Sequence, residues 1–451
     1  MSSQDTLAGS NLAETWIENK KGKLRIALYS HDTMGIGHMR RNLLIAQTLA
    51  RSPSKGSESP GSEPLILLIT GGREVCAFGL PAGTDCLTLP ALAKEENGQY
   101  RARRWDMSLK ELLSLRSRSI AASLRGFAPD VLIVDKVPRG AGGELEQALQ
   151  ELHAEGWTRF VLGLRDVLDD PETVRREWKE TGAEEAIHHF YDAVWIYGDR
   201  RVFDPVVEYQ FGSQVAAKVS YSGYLTRKEP ESLVAWSDAD GALGERHRDV
   251  VLCLVGGGQD GSHLAETFAQ IDFPAGTTGV ILTGPFMPPQ VQNRLRRQAQ
   301  KNRRLRVLGF VTDSDLLLRR ASRVVAMGGY NTMCEILASK KAALIIPRVT
   351  PRQEQLIRAE RMQEFGLVDV LHPKNLTPHT LRNWLASRSP HQVAVGSRNG
   401  RPGDGPFPID LQGLDRLPQL LQKLIDSPPR SKPDAVAETR LPKRSNPYAV
   451  I

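Results

Sequence analysis

Cysteine is scarce and unpatterned in this 451-residue chain: Cys76, Cys86, Cys253 and Cys334 stand far apart, with no CxxC pair. Such spacing excludes a disulfide framework and a zinc ribbon, and it points to reduced thiols in a cytoplasmic protein. Long hydrophobic runs are missing as well. The longest, such as Leu65–Ile69, are strand-sized, whereas a membrane-spanning helix needs roughly 20 apolar residues. No apolar stretch of the kind a secretory signal carries occurs in the first 23 residues. Neither sign of charge dominates: 59 Lys and Arg against 52 Asp and Glu leave a net charge of +7. An excess that small suits phosphorylated small molecules, an anionic membrane face or nucleic acid, and selects none of them. No nucleic-acid-reading motif accompanies the basic runs Arg101–Trp105 and Arg294–Arg306. Both runs read as solvated faces or as a contact with anionic lipid. Metal spacing is lacking too. The pairs Asp238/Asp240 and Asp313/Asp315 fall in a polar stretch and at a helix start, and His188 and His189 are adjacent, hence splayed on a helix.

What is present is a repeated strand, glycine turn and helix. With 40% hydrophobic and 25% charged residues the chain has a soluble globular composition, at a length that suggests two domains. Residues 1–23 read as a flexible leader. From 24 to 228, buried-type strands at Leu24–Ser30, Pro64–Thr70, Cys86–Leu89, Val131–Val134, Arg159–Leu164 and Ala193–Tyr197 alternate with helical stretches such as Gly143–Ala154 and Asp170–Lys179. The polar stretch 229–248 reads as a linker. The rhythm restarts at Asp249–Val255 and runs through Gly279–Thr283, Leu305–Leu308, Arg323–Ala326 and Ala342–Ile346, giving a second domain over 249–390. A loop and closing helix follow over 391–426, and proline and charge predict a disordered tail over 427–451. The expected class is α/β, with two Rossmann-like, doubly wound domains facing each other across a cleft.

The most informative stretch is Ala326–Leu337, AMGGYNTMCEIL. Gly328 and Gly329 sit between a short β-rich run and a helix, where the backbone is open to a ligand. Asn331 and Thr332 are N-cap residue types, and Thr332 with Glu335 spells a capping box. The first-turn N–H groups and the helix dipole suit a phosphate or diphosphate; a plain capped helix is the competing reading. GGGQDG, Gly256–Gly261, matches the GxGxxG dinucleotide fingerprint after a strand. However, the next strand ends in Thr283, Gly284 and Pro285 and not in the acidic residue that would hold a ribose, which argues against NAD. Gly257, Gly258 and Gln259 read instead as a loop whose amides face a ligand shared with the Gly328–Gly329 turn. Near the N-terminus, HDTMGIGHMRR follows the first strand. Gly35 and Gly37 make a tight turn that leaves His38 and Arg40 at a helix start, at the carboxyl end of the sheet.

Taken together, the GIGH turn, GGGQDG and the run GFVTDSDLLLRRASRVVAMGGYNTMCEIL followed by PRVTPRQEQLIRAERMQEFGL resemble a GT-B glycosyltransferase, similar to the bacterial group that includes the lipid-linked N-acetylglucosaminyltransferase of peptidoglycan synthesis. The resemblance covers Leu24 to about Leu371. It implies that Phe310 and Val311 receive the base of a nucleotide sugar, that Gly329, Asn331 and Thr332, with Gly328, meet the diphosphate, and that Glu335 accepts from the ribose. Glu354 and Gln355 would read the sugar. In place of the basic residue that relatives often carry before the glycine turn, this chain has Met327, so another cation must meet the leaving group, with Arg348, Arg352 and Arg165 as candidates. The nucleotide sugar is then a substrate, and neither cofactor nor metal is implied.

His38 is the candidate general base, since an imidazole titrates near neutrality and a helix N-terminus favours its neutral form. A helix-capping or acceptor-binding role competes with it. Gly35, Gly37, Arg40, Arg41, Arg165 and Asp166 would form the acceptor side. His31 and Asp32, in the same loop as His38, are the next candidates for the base, and Asp135 and Lys136 also fall at that edge. The expected activity is transfer of a hexose-type sugar, most simply from UDP, to a hydroxyl on a lipid, glycan or small molecule. Alternatives are a hydrolase, because GIGHMRR is also similar to the histidine turn of a UDP-sugar hydrolase, and a non-catalytic sugar-nucleotide sensor. The expected setting is the cytoplasm, with possible peripheral contact at the inner membrane face and no nucleic-acid partner.

Overall fold

The computed structural model describes residues 23–32, 36–52, 63–94, 100–227, 249–309, 311, 314–387 and 408–428. The expected leader up to residue 22, the 229–248 linker and the tail beyond 428 lie outside them, as do Gly35 and Phe310.

The N-terminal half comprises β1 (Arg25–Ser30), α1 (Gly37–Ala50), β2 (Leu65–Thr70), β3 (Thr84–Thr88), β4 (Leu92–Lys94), β5 (Tyr100–Ala102), α2 (Leu109–Phe127), β6 (Val131–Asp135), α3 (Glu146–Glu155), β7 (Arg159–Arg165), α4 (Pro171–Thr181), α5 (Ala183–Phe190), β8 (Ala193–Tyr197) and β9 (Val219–Tyr221). Seven of these strands form one sheet in the order β3-β2-β1-β6-β7-β8-β9, and every pairing in it is parallel. β4 and β5 form a separate antiparallel hairpin. Helices cover both faces of the sheet, so the central strands are apolar along their length: VLIVD of β6 is buried at every position. Local chemistry starts several helices. Ser108 and Glu111 make a capping box on α2, and Asp170 accepts from Thr173 N at 3.0 Å with Pro171 at the first position of α4.

The C-terminal half comprises β10 (Asp249–Leu254), α6 (Ser262–Ala269), β11 (Thr277–Leu282), α7 (Pro289–Lys301), β12 (Leu305–Leu308), α8 (Asp315–Arg320), β13 (Arg323–Ala326), α9 (Tyr330–Ser339), β14 (Ala342–Ile345), α10 (Glu354–Glu364), β15 (Asp369–Val370) and α11 (Pro378–Ala386). Its six strands are again parallel, in the order β12-β11-β10-β13-β14-β15. In both sheets the strand order reverses beside the first strand, and the loops at that point open toward the other half. The last helix, α12 (Gly413–Asp426), returns to the N-terminal half and packs on α1 through Leu417 and Leu421.

An apolar cluster crosses between the halves, from Ile36, Met39 and Leu43 to Tyr330, Met333 and Leu337. Two guanidinium groups approach the Tyr330 ring, Arg41 from one half and Arg358 from the other, each 5.6 Å from the ring centroid. Arg358 and Asp166 form an ion pair with no exposed surface, at 2.7–3.0 Å, and Arg352 reaches Asp169 and Glu177. These contacts fix the two sheets around the cleft.

Candidate active site

The cleft encloses a cavity of about 200 Å³. On its N-terminal side α1 begins without a side-chain cap of its own. Asp32 supplies one from the end of β1, accepting the Met39 N–H at 2.8 Å while Ser30 and Thr70 hydroxyls hold the carboxylate at 2.6 and 2.5 Å. This fixes the first turn and with it His38. Asp32 is therefore a positioning group and not a competing base.

His38 Nδ1 hydrogen-bonds the Asp135 carboxylate at the end of β6. The other carboxylate oxygen receives Arg41 Nε at 2.9 Å and Nη2 at 2.5 Å. Burial alone would raise the Asp135 pKa, but Arg41 and His38 more than offset it and hold the carboxyl well below its ordinary range. An ionised carboxylate only accepts, so the ring proton sits on Nδ1, and Nε2 is left unprotonated for the cavity. Arg41 Nη2, 3.0 Å from Nδ1, can only donate and shares the same carboxylate corner. Burial pushes the His38 pKa down. Asp135 opposes this, Arg41 and Arg165 reinforce it, and the net shift is downward. The imidazole thus stays neutral at neutral pH while 15% of its surface faces the cleft.

Opposite His38 the C-terminal half contributes two glycine turns. Gly258 has φ +90°, and a Cβ there would lie 2.1 Å from the Thr283 carbonyl, so only glycine permits the close packing of this turn. Gly256, Gly257, Gly258 and Gln259 line the cavity together with Gly329, Asn331 and Thr332. The helix start differs from the sequence expectation. Gly329 is the N-cap of α9, with no side-chain cap, and Thr332 and Glu335 form no capping box. The first-turn amides therefore gain no side-chain cap, and the Glu335 carboxylate is drawn away by two groups distant in sequence: Arg40 at 3.0 Å and Ser314 Oγ at 2.9 Å. Asn331 Nδ2 donates to the Gly37 carbonyl at 3.0 Å, tying the two turns together.

Four arginines, Arg40, Arg41, Arg165 and Arg348, face the cavity, against the carboxylates Asp260 and Glu354. Arg348 pairs with both, at 2.8 Å to Asp260. Burial would raise the Glu354 pKa, but Arg348, Arg165, Arg358 and Lys136 hold it low. The Nε of Arg165, like that of Arg348, is buried with no hydrogen-bond partner among the described residues, but Arg348 is paired through its other nitrogens with Asp260 and Glu354. Burial lowers the Arg165 pKa to about 10, and Glu354 only partly counters this. A guanidinium in this condition gains by meeting an anion.

Of the residues singled out from sequence, Gly37, His38, Arg40, Arg41, Arg165, Gly257, Gly258, Gln259, Gly329, Asn331, Thr332, Glu354 and Gln355 border the one cavity. Asp166 does not: it is consumed by Arg358 and by Tyr224 Oη at 3.0 Å. Arg352, offered as a cation for the diphosphate, is spent on Asp169 and Glu177. Val311 packs on the core, and Gly328 lies beneath the cavity against Gln355, its carbonyl accepting from Arg358 at 3.1 Å. Among residues not singled out, Asp260 and Tyr330 border the cavity. Asp260 was visible only as one letter of GGGQDG. Among the described residues no group of three His, Cys, Asp or Glu is placed to hold a metal ion, and no helix is long and apolar enough to cross a membrane.

Residues 251–391 match the model of the glycosyltransferase family 28 C-terminal domain. Over 173 residues the chain is 22% identical to the UDP-N-acetylglucosamine--N-acetylmuramyl-(pentapeptide) pyrophosphoryl-undecaprenol N-acetylglucosamine transferase of Vibrio atlanticus, which covers 38% of this chain and 48% of that enzyme. The match thus spans about half of the relative's length. Among solved structures, a UDP-glucosyltransferase from Polygonum tinctorium superposes with a TM-score of 0.56 at 12% identity, covering 90% of this chain and 99% of that one. The MurG protein of Acinetobacter baumannii gives 0.51 at 11%, covering 89% and 100%. The UDP-GlcNAc 2-epimerase of Neisseria meningitidis gives 0.53 at 12%, covering 90% and 99%. The shared architecture is the two-domain GT-B fold.

Proposed function

We propose, for a chain whose residues 251–391 form a glycosyltransferase family 28 C-terminal domain, that the cleft transfers a hexose-type sugar from a nucleotide diphosphate sugar, UDP-linked in the simplest case, to an acceptor hydroxyl. The observation that carries this reading is the His38–Asp135 pair aimed across one cavity at the two glycine turns. In the proposed step the acceptor O–H gives its proton to His38 Nε2 and its oxygen bonds the anomeric carbon. The bond from that carbon to the diphosphate breaks, and the diphosphate leaves with the electron pair. In this reading Arg165, with its unpartnered Nε, and the first-turn amides of α9 would meet the leaving charge. Glu354 and Gln355, at the start of α10, would read the sugar, and Glu335 the ribose once Arg40 releases it.

The similar GT-B structures include both transferases and an epimerase, so fold alone does not select transfer. Incubation with labelled UDP-sugars separates the readings. Sugar retained until an acceptor extract is added supports transfer, sugar released to water supports hydrolysis, and binding without turnover supports a sensor. His38→Ala is expected to abolish turnover and leave the UDP dissociation constant unchanged; unaltered turnover would remove the base assignment. Location in the cytoplasm and a peripheral contact with anionic membrane belong to this proposal, the latter checked by sedimentation with vesicles.

A further inference from the structure

A second cavity, of about 330 Å³, opens on the N-terminal half and has no part in the donor site. It lies at the same carboxyl edge as His38. Arg73 follows β2, and Leu89 and Pro90 follow β3, while His38 and Asp135 stand over β1 and β6. With neighbouring strands about 4.8 Å apart, the cavity is about 5–10 Å along the edge from the imidazole's strand. Packed residues link the two sites. His31, at the end of β1, has its ring centroid 4.6 Å from that of His38, and the His31 carbonyl lies where a Cβ on Gly71 would come within 2.6 Å. Gly71 and Gly72 then lead directly into Arg73.

The cavity is preformed. Its floor is apolar, built from Leu89 and Leu112, which are 2% and 1% exposed, and from Pro90. The Pro90 carbonyl is held at 2.5 Å by Arg116, itself fully buried and bound to Glu144 at 2.5 and 2.7 Å. At the mouth, the Trp105 indole is 51% exposed, and Arg73 and Arg104 have no carboxylate partner among the described residues. The neighbouring Arg103 turns instead to the other half, 5.7 Å over the Phe286 ring. An apolar floor under an exposed aromatic ring and two guanidinium groups without a carboxylate partner among the described residues is complementary to an apolar body bearing an anion. The volume, near the lower end of the ~300–1,000 Å³ range of small-molecule pockets, limits that body to a compact one.

We propose that this cavity is the acceptor subsite and that the acceptor is an apolar acid, a ring or branched hydrocarbon carrying a carboxylate, phosphate or sulfate. Its reacting hydroxyl reaches His38 while the anion rests between Arg73 and Arg104. This rests on the assignment of His38 as the base facing the acceptor.

The test titrates 1-anilinonaphthalene-8-sulfonate into the full chain, with N-phenyl-1-naphthylamine as the uncharged counterpart and UDP present or absent. Expected is one sulfonate per chain, not displaced by saturating UDP. Its dissociation constant should rise about tenfold in the double variant Arg73→Ala/Arg104→Ala, as two charge-assisted contacts are lost. The uncharged probe should be little affected there, and Ala102→Trp, which fills the cavity, should abolish both. Both arginines are exposed, so the double variant keeps its fold. Unchanged sulfonate affinity in both variants, or one-for-one displacement by UDP, overturns the inference. Sedimentation with phosphatidylglycerol vesicles distinguishes the source of the acid: a lipid-borne acid carries the chain down but not the double variant, and a soluble acid leaves both in solution. Failure of the donor reading shows separately, as absent UDP binding, and does not move the sulfonate titration.

Discussion

Replacing Asp135 with Asn changes one atom and should silence His38. Arg41 places Nε and Nη2 on one oxygen of this carboxylate, at 2.9 and 2.5 Å, and a guanidinium cannot accept a hydrogen bond. The asparagine must therefore turn its carbonyl oxygen toward Arg41, which points its NH2 group at His38 Nδ1. Nδ1 then has to accept, the ring proton moves to Nε2, and the nitrogen facing the cavity is no longer a base. General-base catalysis contributes about 10²- to 10⁴-fold, which at 1.36 kcal/mol per decade is about 2.7–5.5 kcal/mol of barrier. The assay is single-turnover consumption of labelled UDP-sugar, alongside calorimetric titration of UDP, whose binding surface is untouched. A variant that keeps turnover within threefold of the parent while binding UDP normally would refute both the tautomer argument and the base assignment.

Other expectations follow from the same geometry. The downward shift of the His38 pKa from 6.5, caused first by burial, places the acidic limb of the rate profile below pH 6.5, with full activity above it; a limb centred above 6.5 contradicts the neutral imidazole. Both His38 and Asp135 take up protons less readily folded than unfolded, so each stabilises the fold at neutral pH. The His38 contribution declines as pH falls below 6.5, and that of Asp135 only below about 3.8, which melting curves across that range will show. Arg358→Leu strands Asp166 without its buried partner and is expected to cost about 3–5 kcal/mol by denaturant unfolding. The double variant with Asp166→Leu should recover most of it, and a single variant costing under about 1 kcal/mol would show that the pair is not the interdomain bolt. Glu335→Ala should weaken UDP binding about tenfold if the carboxylate serves the ribose, whereas an unaltered dissociation constant leaves it only the contact with Arg40 and Ser314.

Sequence alone determined what is local. Apolar runs such as VLIVD, broken by glycine turns and followed by helical spacing, specify parallel strands with crossover helices, because periodicity and turn chemistry are properties of neighbouring residues. For the same reason the glycine turns and the helix bearing His38 were legible. Tertiary structure decided the partners. Asp135 meets His38 across 97 positions, Arg358 claims Asp166 across 192, and Arg40 takes Glu335 across 295, cancelling a capping box that four adjacent letters had spelled. A carboxylate goes to whichever cation the fold brings nearest, and that proximity depends on how two sheets pack, a quantity no short window of residues contains.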